Sequence, residues 1–579
     1  MISISHTWYS KIASLFLLWG LMQCISLARP RPSPQRRYIT QCGILNIPGT
    51  TYTLGNDVAS EGTCFSAQAD NISLNLNGHN VIYGSASSSI SVFGVLGVSC
   101  WDPTFGSSNP CGGSFNNLTI YGGSITQGPG AAPFSHCVRL GQGPGHGLKV
   151  HDVTFNIHAD SSIPIYTTYV GTNAQVYNNV INNMVNIIEN RHQLTGQSIK
   201  FADSSHVPGP ATIYGNHITG GAQGGIFSAA IGTTIHDNVI KHNGKYTNDF
   251  GIYAWANGGE VYNNVVAPIA GRGINIASSI GERVHDNQIE VIEEKVNEEY
   301  GGCQSGGTFG IQFDDDPREA TAFRNSVVAK ASDCDAQALR VTDSRKGSKN
   351  LSHDNTYIAK RLGRSLAFAT GFGSGGATEF VSEHDTFVGD TSSVRFDWDG
   401  GHNLIFRECI FERGPNAAPD YATFSFRNGG KVSITNIHFV DSTFQNGATK
   451  ESTDMKRVLG AGDWPGPAEY FIDWTFRLRV QDHELKPVIG ATIDITDALG
   501  NSAFRGITDQ EGSISTVLTE FRKYNTSTVV QKEEHSPYRL HVRKASCQSS
   551  LEDAVLSITK TTAETFRIDC PSTETIPRD

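Results

Sequence analysis

The segment "TIHDNVI", residues 234–240, recurs in altered copies along the middle of the chain. Each copy keeps an apolar residue at its second and last positions and an asparagine at its fifth. The copies are QVYNNVI (175–181), TIYGNHI (212–218), EVYNNVV (260–266) and RVHDNQI (283–289). Self-similarity of this kind is the signature of a repeat architecture. The 579 residues are therefore expected to form stacked units rather than one compact core.

A second type of segment alternates with the first. It is apolar, often begins with Gly-Ile, and starts at residues 198, 225, 251, 273, 310, 338, 365, 393 and 423. Most steps between these starts are 22 to 30 residues, and the step into residue 310 is 37. Units of this length, built from short β runs and turns without a helix, fit the coils of a parallel β-helix, in which each coil stacks three short strands on the coil below.

An asparagine column accompanies the repeat. It comprises Asn179, Asn216, Asn238, Asn264, Asn287, Asn325 and Asn355. Stacked amide side chains can donate to and accept from the next coil, and so satisfy a bend between two strands. The column is expected to be structural.

Composition narrows the function classes. The chain has 61 glycines, only 17% charged residues and a formal charge of −11. Binding of nucleic acid needs a basic footprint, so the acidic balance argues against DNA or RNA as a partner. No segment after the N-terminal region is apolar and long enough to predict a membrane span.

The repeats, the asparagine column and the opening stretch "YTLGNDV…NISLNLNGHNVIYG" resemble the right-handed parallel β-helix, or pectin-lyase-like, superfamily. The resemblance covers residues 40–455. It implies that a polysaccharide binds along the outer face of one sheet, flanked by variable loops. It does not select an activity, because the superfamily contains hydrolases, lyases, epimerases, esterases and non-catalytic surface proteins.

The C-terminal region has a different pattern. Residues 470–571 show alternating strands and tight turns and resemble small β-sandwich modules of the carboxypeptidase-regulatory type. Such a module can bind carbohydrate, or it can cap the open end of the stack. The predicted fold class is therefore all-β, a right-handed parallel β-helix followed by a small C-terminal β-sandwich.

The N-terminus predicts export. Residues 1–28 have a positive start, a short apolar stretch and small residues before a cleavage site, which is typical of a secretory signal peptide. Residues 29–39 form a proline-rich leader that is expected to be disordered. Disulfides are favoured in an exported chain, and the near-neighbour pairs are Cys42–Cys64, Cys100–Cys111, Cys303–Cys334 and Cys547–Cys570.

Alternation along the Gly-Ile segments predicts which side chains face outward. One outward column is Lys200, Phe227, Tyr253, Asn275, Gln312, Arg340, Ala367, Arg395 and Ser425, and the next is Ala202, Ala229, Trp255, Ala277, Asp314, Thr342, Ala369, Asp397 and Arg427. Aromatic rings suit sugar C–H groups, while amides and guanidinium groups bind hydroxyls and carboxylates. The predicted binding residues are Lys200, Tyr253, Trp255, Asn275, Gln312, Arg340 and Arg395.

The stretch "GIQFDDDPREA", residues 310–320, supplies the candidate catalytic groups. If the strand continues, Asp314 and Asp316 face outward about 7 Å apart, and Asp397, placed two coils away, lies roughly 10 Å from Asp314. Inverting glycosidases hold their two carboxylates about 6.5–9.5 Å apart. The stretch also fits a polar turn or a calcium site, since calcium prefers carboxylate oxygens.

These patterns predict a secreted enzyme that hydrolyses a polysaccharide, possibly an acidic one, with inversion, using Asp314, Asp316 and Asp397 and no obligatory cofactor. A calcium-assisted lyase or uronate epimerase is the first alternative, with Arg340, Arg395 or Lys200 as base or as partner of the substrate carboxylate. A non-catalytic carbohydrate-binding protein is the second alternative.

Overall fold

A computed structural model of the chain describes residues 35–97, 116–140, 146–167, 172–184, 196–201, 209–220, 224–241, 250–267, 271–293, 307–342, 347–373, 377–397, 401–417, 419–427, 433–455, 467–526, 529–547 and 551–570. These ranges contain strands, turns and bends but no helix. Accordingly, none of them holds a helix that could cross a membrane.

Most strands belong to two long sheets, and in the coils of both sheets each strand pairs in parallel with its equivalent in the next coil. Phe250–Ala254 pairs with Arg272–Ala277, which in turn pairs with Thr308–Asp314. We call the 15-stranded sheet the front sheet and the 31-stranded sheet the back sheet. A typical coil gives one strand to the front sheet and two to the back sheet. The chain is therefore a parallel β-helix, as its repeats predict.

The front sheet consists of Gly43–Leu45, Phe65–Ala67, Val95–Gly97, Val138–Leu140, Ile165–Thr167, Gln197–Phe201, Gly224–Ser228, Phe250–Ala254, Arg272–Ala277, Thr308–Asp314, Ala336–Val341, Ala367–Phe372, Ser392–Asp397, Phe424–Arg427 and Thr453–Asp454. The back sheet consists of Gln35–Ile39, Thr50–Leu54, Val58–Ala59, Ser73–Asn75, Asn80–Tyr83, Thr119–Gln127, Lys149–Ile157, Ala174–Tyr177, Val180–Asn183, Ala211–Tyr214, His217–Gly220, Thr234–His236, Val239–Lys241, Glu260–Tyr262, Val265–Val266, Arg283–His285, Gln288–Glu293, Thr321–Phe323, Ser326–Ala331, Leu351–His353, Thr356–Arg361, Val381–Glu383, Thr386–Gly389, His402–Arg407, Ile410–Arg413, Thr435–Val440, Thr443–Gln445, Ala468–Gln481, Ser513–Thr526, Val529–Glu534 and Thr562–Arg567.

Apolar side chains between the two sheets form one continuous core. In the front sheet, Ile252, Ile274 and Ile311 lie in register on neighbouring strands and are fully buried. Burying an isoleucine contributes about 1.5–3 kcal/mol. Because each coil repeats this contribution, the stack is stabilised along its whole length.

The asparagine column forms the predicted ladder. The Asn264 side-chain amide donates to Asn287 Oδ1 at 3.0 Å, and Asn264 Oδ1 accepts from the Asn238 amide at 3.0 Å. The same bond links every member from Asn179 to Asn355 at 2.9–3.0 Å. The ladder continues to Asp385, which accepts from the Asn355 amide at 2.9 Å. The structural role of the column is confirmed.

A stack of rings runs along the outer side of the back sheet. It comprises Tyr121, His151, Tyr177, Tyr214, His236, Tyr262, His285, Phe323 and His353, with neighbouring ring centroids 4.5–5.2 Å apart. The histidines also contact the aspartate that follows each of them. His236 Nδ1, for example, lies 2.7 Å from Asp237 Oδ2. The ring stack and the His–Asp contacts thus tie the back-sheet bends together.

The C-terminal strands close the end of the stack. Strand Ala468–Gln481 pairs in parallel with Thr435–Val440 of the last coil and antiparallel with Ser513–Thr526. A separate four-stranded sheet, comprising Ser502–Ile507, Thr492–Thr496, Tyr538–Arg543 and Leu551–Leu556, packs its apolar side chains against these long strands in a second core. An edge that would otherwise be open is therefore covered.

Two expectations for the chain ends need correction or extension. The leader was expected to be disordered to residue 39, but Gln35–Ile39 is a strand paired with Thr50–Leu54. Pairing satisfies its backbone groups, which is why the strand is ordered. The predicted Cys42–Cys64 and Cys547–Cys570 disulfides are both present. Cys334 is disulfide-bonded, while its predicted partner Cys303, and the Cys100–Cys111 pair, lie outside the described residues.

Candidate functional site

The outer side of the front sheet, which we call the front face, carries the predicted column nearly as expected. The register runs through Arg139, Tyr166, Lys200, Phe227, Tyr253, Asn275, Gln312, Arg340, Gly371, Arg395 and Ser425. The exception is Gly371, which stands where Ala367 was predicted. Strand Ala367–Phe372 carries two phenylalanines four residues apart, and Phe372 rather than Phe368 is in register with Val341.

This register also corrects the second column. Thr342 directly follows strand Ala336–Val341, whose Val341 pairs with Phe372, so Gly373 and not Ala369 continues the column. Ala202 lies outside the described residues, and the side chain of Arg427 does too. Ala369 is fully buried and belongs to the main core.

Only Asp314 of the three consecutive aspartates lies at the end of a front-sheet strand. Strand Thr308–Asp314 ends there, and Asp315 and Asp316 both have left-handed backbone, with φ of 56° and 58°. The expectation that Asp316 shares the strand face of Asp314 is wrong, because the chain turns between them.

The three carboxylates have different partners. Asp314 accepts hydrogen bonds from Thr342 Oγ1 at 2.8 Å and from Arg272 Nη1 at 3.3 Å. The Ser278 hydroxyl donates to Asp315, and Arg318 contacts Asp316 at 3.0 Å. Within the described ranges, no cluster of three or more His, Cys, Asp or Glu side chains could hold a metal ion.

Asp397 is farther from Asp314 than its predicted position. The successive strands after Thr308–Asp314 are Ala336–Val341, Ala367–Phe372 and Ser392–Asp397. Three strand spacings of about 4.8 Å place the two Cα atoms roughly 14 Å apart. The predicted value of two coils and roughly 10 Å is therefore wrong. Asp397 forms an ion pair with Arg395 at 2.5 Å, and Arg395 Nη1 also contacts Asp335 at 2.5 Å.

Arg340 lies between these carboxylates and is not paired with either. Its guanidinium carbon is 4.3 Å from the centroid of Phe309, and its buried Nε has no hydrogen-bond partner. Burial lowers the pKa of the guanidinium to about 10, although Asp397 and Asp314 act in the opposite direction. Arg340 forms no salt bridge with any residue that the structure describes.

An aromatic cluster occupies the front face two strands before Asp314. Phe227 and Phe250 are buried, and Tyr253 and Trp255 pack against them. The ring centroids of Tyr253 and Trp255 are 6.4 Å apart at an angle of 75°. Burial, assisted by the charge of Asp314, raises the pKa of Tyr253 to about 12. The predicted exposed patch is therefore half-buried, because Phe227 and Phe250 cover the inner sides of both rings.

Polar groups in the middle of the front face are buried without partners. Asn275 is 0% exposed and neither its amide nitrogen nor its oxygen is hydrogen-bonded. Gln312 is 3% exposed, and its Oε1 also lacks a partner. The same holds for Trp255 Nε1 and Arg272 Nε. Each buried polar group without a hydrogen bond lowers the free energy of unfolding by about 1–3 kcal/mol. Their concentration on one face therefore needs an explanation, which a partner that forms the missing hydrogen bonds would supply.

Lys200 lies at the other end of the predicted column. It is 8% exposed, and its Nζ is 5.1 Å from the centroid of Tyr166 and 5.7 Å from that of Phe227. Four strand spacings separate Lys200 from Gln312. The structure thus brings Tyr253, Trp255, Asn275, Gln312, Asp314 and Arg340 together, and places Lys200 and the Arg395–Asp397 pair at opposite ends.

A third column of the front face was missed. It contains Gln197, Gly224, Phe250, Arg272, Phe309, Gln337, Phe368 and Ser392. The sequence pattern that could have revealed this column is the residue before the glycine in "FGIY", "RGIN" and "FGIQ". A Cβ on Gly310 would lie 2.1 Å from the Val327 side chain. The glycine therefore faces the core, and the preceding residue faces outward.

Comparisons with known proteins add little. No family model and no curated protein matches the chain. The chain is similar to the tailspike protein of E. coli bacteriophage HK620 in complex with a pentasaccharide, at 11% identity over 86% of this chain and 87% of that one, with a TM-score of 0.38. A variant of that tailspike in complex with a hexasaccharide matches at 10% identity over 89% and 86%, with a TM-score of 0.35. At these values the assignment of the fold rests on the strand pairing of this chain.

Proposed function

We propose that this protein binds a polysaccharide along the front face and hydrolyses a glycosidic bond beside Asp314. One observation carries the proposal. The buried polar atoms without partners, on Trp255, Asn275, Gln312 and Arg340, lie on or directly after consecutive strands next to an aromatic cluster. A sugar chain offers many hydroxyls for the polar atoms and apolar C–H faces for the rings.

Asp314 is the proposed proton acceptor. Its carboxylate is 23% exposed and accepts hydrogen bonds from Arg272 and Thr342, which fix its orientation. A positioned carboxylate can take the proton of an attacking water. Asp316 and Asp397 remain the proposed sources of the second carboxyl group, and inversion remains a prediction. Asp316 is the nearer of the two along the chain, and Asp397 is engaged by Arg395.

An activity screen tests this proposal. The full-length protein is incubated with neutral and acidic polysaccharides, and new reducing ends and the absorbance of unsaturated uronate are recorded together. Hydrolysis predicts reducing ends without that absorbance. Asp314→Asn should lower kcat by at least about 100-fold, whereas Asp237→Asn, on the back sheet, should not. Reducing ends that persist in Asp314→Asn would contradict the assignment of Asp314.

Arg340 supports a lyase as the second candidate function. Its guanidinium makes no salt bridge in the described part of the chain, and its buried Nε has no hydrogen-bond partner, so it is placed to neutralise the carboxylate of a uronate. In a β-elimination, Arg340 would neutralise that carboxylate, Asp314 would take the proton next to it, a C=C bond would form, the glycosidic C–O bond would break, and the leaving oxygen would take a proton from water. Absorbance of unsaturated uronate that disappears in Arg340→Gln would select the lyase.

We also propose that the protein is secreted. Residues 1–28, the proposed signal peptide, lie outside the described residues. The two disulfides support a secreted protein, since such bonds persist in oxidising compartments. Sequencing the N-terminus of the secreted protein should show a start at residue 29.

We further propose that the C-terminal strands form the predicted β-sandwich of the carboxypeptidase-regulatory type and act mainly as a cap, because strand Ala468–Gln481 is paired with the last coil. Nucleic acid is not a proposed partner.

A further inference from the structure

We propose that one bend of the coils near the N-terminus is a site of N-linked glycosylation, with oligosaccharides on Asn71 and Asn117. The sequence contains four Asn-x-Ser/Thr motifs, which begin at Asn71, Asn117, Asn350 and Asn525. Such a motif accepts N-linked sugar in an exported protein when it lies on an accessible loop. The proposal therefore rests on the proposed secretion, and the structure divides the four motifs into two accessible and two inaccessible ones.

Asn71 and Asn117 occupy the same place in neighbouring coils. Ser73, two residues after Asn71, is in register with Thr119, two residues after Asn117. Both asparagines are exposed and have left-handed backbone, with φ of 57° and 59°, a conformation that asparagine tolerates better than most residues. Their side chains contact each other, since the Asn117 amide donates to Asn71 Oδ1 at 2.8 Å. The two amides therefore lie at the surface of one bend.

The residues after each asparagine complete the acceptor. Ile72 and Leu118 are buried in the main core and anchor the bend. Ser73 and Thr119, the next residues, point to the outer side and are half-buried. In both motifs the amide and the hydroxyl are thus accessible from the same side of the coil.

The motif at Asn350 is inaccessible. Asn350 is 0% exposed, its Oδ1 accepts from the Ala320 amide at 3.1 Å, and its Nδ2 donates to the Pro317 carbonyl at 2.8 Å. The hydroxyl of this motif, on Ser352, is also 0% exposed and donates to Asp385 at 2.6 Å. An oligosaccharide on Asn350 would have no room within this coil.

The motif at Asn525 is inaccessible for a different reason. Asn525 lies on strand Ser513–Thr526, which is paired with Ala468–Gln481 on one side and Val529–Glu534 on the other. It is 8% exposed, and its Oδ1 accepts from the Ala468 amide at 2.8 Å. An oligosaccharide there would displace the strands that close the end of the stack.

The modification is a group transfer from a lipid-linked oligosaccharide diphosphate. The amide nitrogen of the asparagine forms a bond to C1 of the first sugar, the bond from C1 to the diphosphate oxygen breaks, and the lipid diphosphate leaves. The nitrogen loses one proton, and nothing is oxidised or reduced. Transfer precedes folding, so a chain modified at Asn350 or Asn525 would not fold, whereas a chain modified at Asn71 and Asn117 would.

The chain contains a matched control for this site. Asn173 stands at the same bend two coils after Asn117, because Gln175 is in register with Lys149, and Lys149 with Thr119. Asn173 is likewise exposed and left-handed, with φ of 67°. Its motif lacks only the hydroxyl, since Gln175 stands two residues later. A single substitution, Gln175→Thr, should therefore create a further acceptor.

The glycans would lie far from the proposed site of hydrolysis. Seven strand spacings of the front sheet separate Val95–Gly97, in the coil of Asn117, from Thr308–Asp314. At about 4.8 Å per strand this is roughly 34 Å. Enzymatic removal of the glycans from the folded protein should therefore leave polysaccharide binding and hydrolysis unchanged.

Peptide mass spectrometry of the secreted protein tests the inference. The chain is expressed in a eukaryotic host that attaches N-linked sugar, once in full length and once with a host export signal before residue 29. An amidase that removes N-linked glycans in heavy-oxygen water converts each modified asparagine to a labelled aspartate. We expect conversion at Asn71 and Asn117, and none at Asn350 and Asn525.

Two variants make the test specific. Ser73→Ala/Thr119→Val keeps both asparagines and their hydrogen bond, and should lose both glycans. Gln175→Thr should gain one glycan, at Asn173. Circular dichroism of the secreted proteins checks that each variant is folded.

The outcomes separate the inference from the proposals on which it rests. Secretion only with the host signal would contradict the proposed signal peptide and leave the inference in place. Absence of conversion at Asn71 or Asn117, conversion at Asn350 or Asn525 in the folded protein, or no added glycan in Gln175→Thr would overturn the inference. The proposed hydrolysis does not depend on any of these results.

Discussion

The asparagine ladder at the back-sheet bends and the middle of the front face both consist of side-chain amides, and both sets are buried to the same degree. Asn264 is 0% exposed, and so is Asn275. The Asn264 amide donates to Asn287, Ile235 and Tyr262. The Asn275 amide has no partner at either atom. The difference indicates that the first amide maintains the fold, and it is the reason why we propose that the second contacts a ligand.

The comparison teaches how to separate structural from functional polar groups in a solenoid. A buried polar group that is fully satisfied inside the protein needs no further explanation. A buried group that is not satisfied reduces stability unless another partner completes it. Such groups also occur elsewhere, as at Gln197, so the proposed site rests on their concentration between Trp255 and Arg340 beside the aromatic cluster.

We expect the largest effect on stability from a substitution in the asparagine ladder. Asn264→Leu removes the amide that donates to Asn287, Ile235 and Tyr262, and it removes the oxygen that accepts from the Asn238 backbone and side chain. We expect a loss of about 3–5 kcal/mol in the free energy of unfolding. Chemical denaturation followed by circular dichroism would measure it. A loss below about 1 kcal/mol would show that the coils do not depend on the ladder.

The ladder end at Asp385 should make stability depend on pH. Burial raises the pKa of this carboxyl to about 6, while hydrogen bonds from Ser352, Ser382 and Asn355 oppose the rise. A raised folded-state pKa stabilises the protein below the unfolded value near 3.8, and this contribution is lost as the pH rises through about 6.

Asp385→Asn tests this pH dependence. The free energy of unfolding of the variant, relative to the native chain, should increase by about 2 kcal/mol between pH 4 and pH 7. Denaturation at both pH values measures the difference. A difference that is the same at pH 4 and pH 7 would show that Asp385 is charged throughout this interval.

Arg340 and Arg395, both on the front face, should differ in their effect on stability. Arg395→Met removes the cation that Asp397 and Asp335 share, so we expect a loss of about 2 kcal/mol, less than for a fully buried pair. Arg340→Met removes a cation that has no ion pair in the described ranges, and should change stability by less than about 1 kcal/mol. Thermal unfolding of both variants would show the order, and a larger loss for Arg340→Met would reverse our account of the two sites.

The smallest expected effect on stability is at Asn275. Asn275→Leu replaces two unsatisfied polar atoms by apolar ones of similar volume, so the free energy of unfolding should stay within about 1 kcal/mol or rise. The matched comparison is with Asn264→Leu under identical conditions. Equal destabilisation of the two variants would remove the distinction between the two regions.

Sequence alone was sufficient for the ladder but not for the site. The spacing of Asn179 to Asn355 predicted the bonds correctly, because a structural column must recur in every coil. The register near Phe368 was wrong, since two phenylalanines in "AFATGF" both fit the inward pattern. The position of Asp316 could not be predicted from alternation, because the strand ends at Asp314 and the turn has left-handed backbone. Arg272 was missed because alternation was counted only after the glycine.

The most direct test of the central claim is the affinity of the Asp314→Asn protein for its best-bound polysaccharide, measured with and without the pair of substitutions Asn275→Leu and Gln312→Leu. Amide atoms that lack a partner in the protein and bind the ligand predict at least a ten-fold weaker affinity in the substituted protein, with an unfolding free energy close to that of the parent. An unchanged affinity would contradict the claim and would leave the buried amides of the front face without a function.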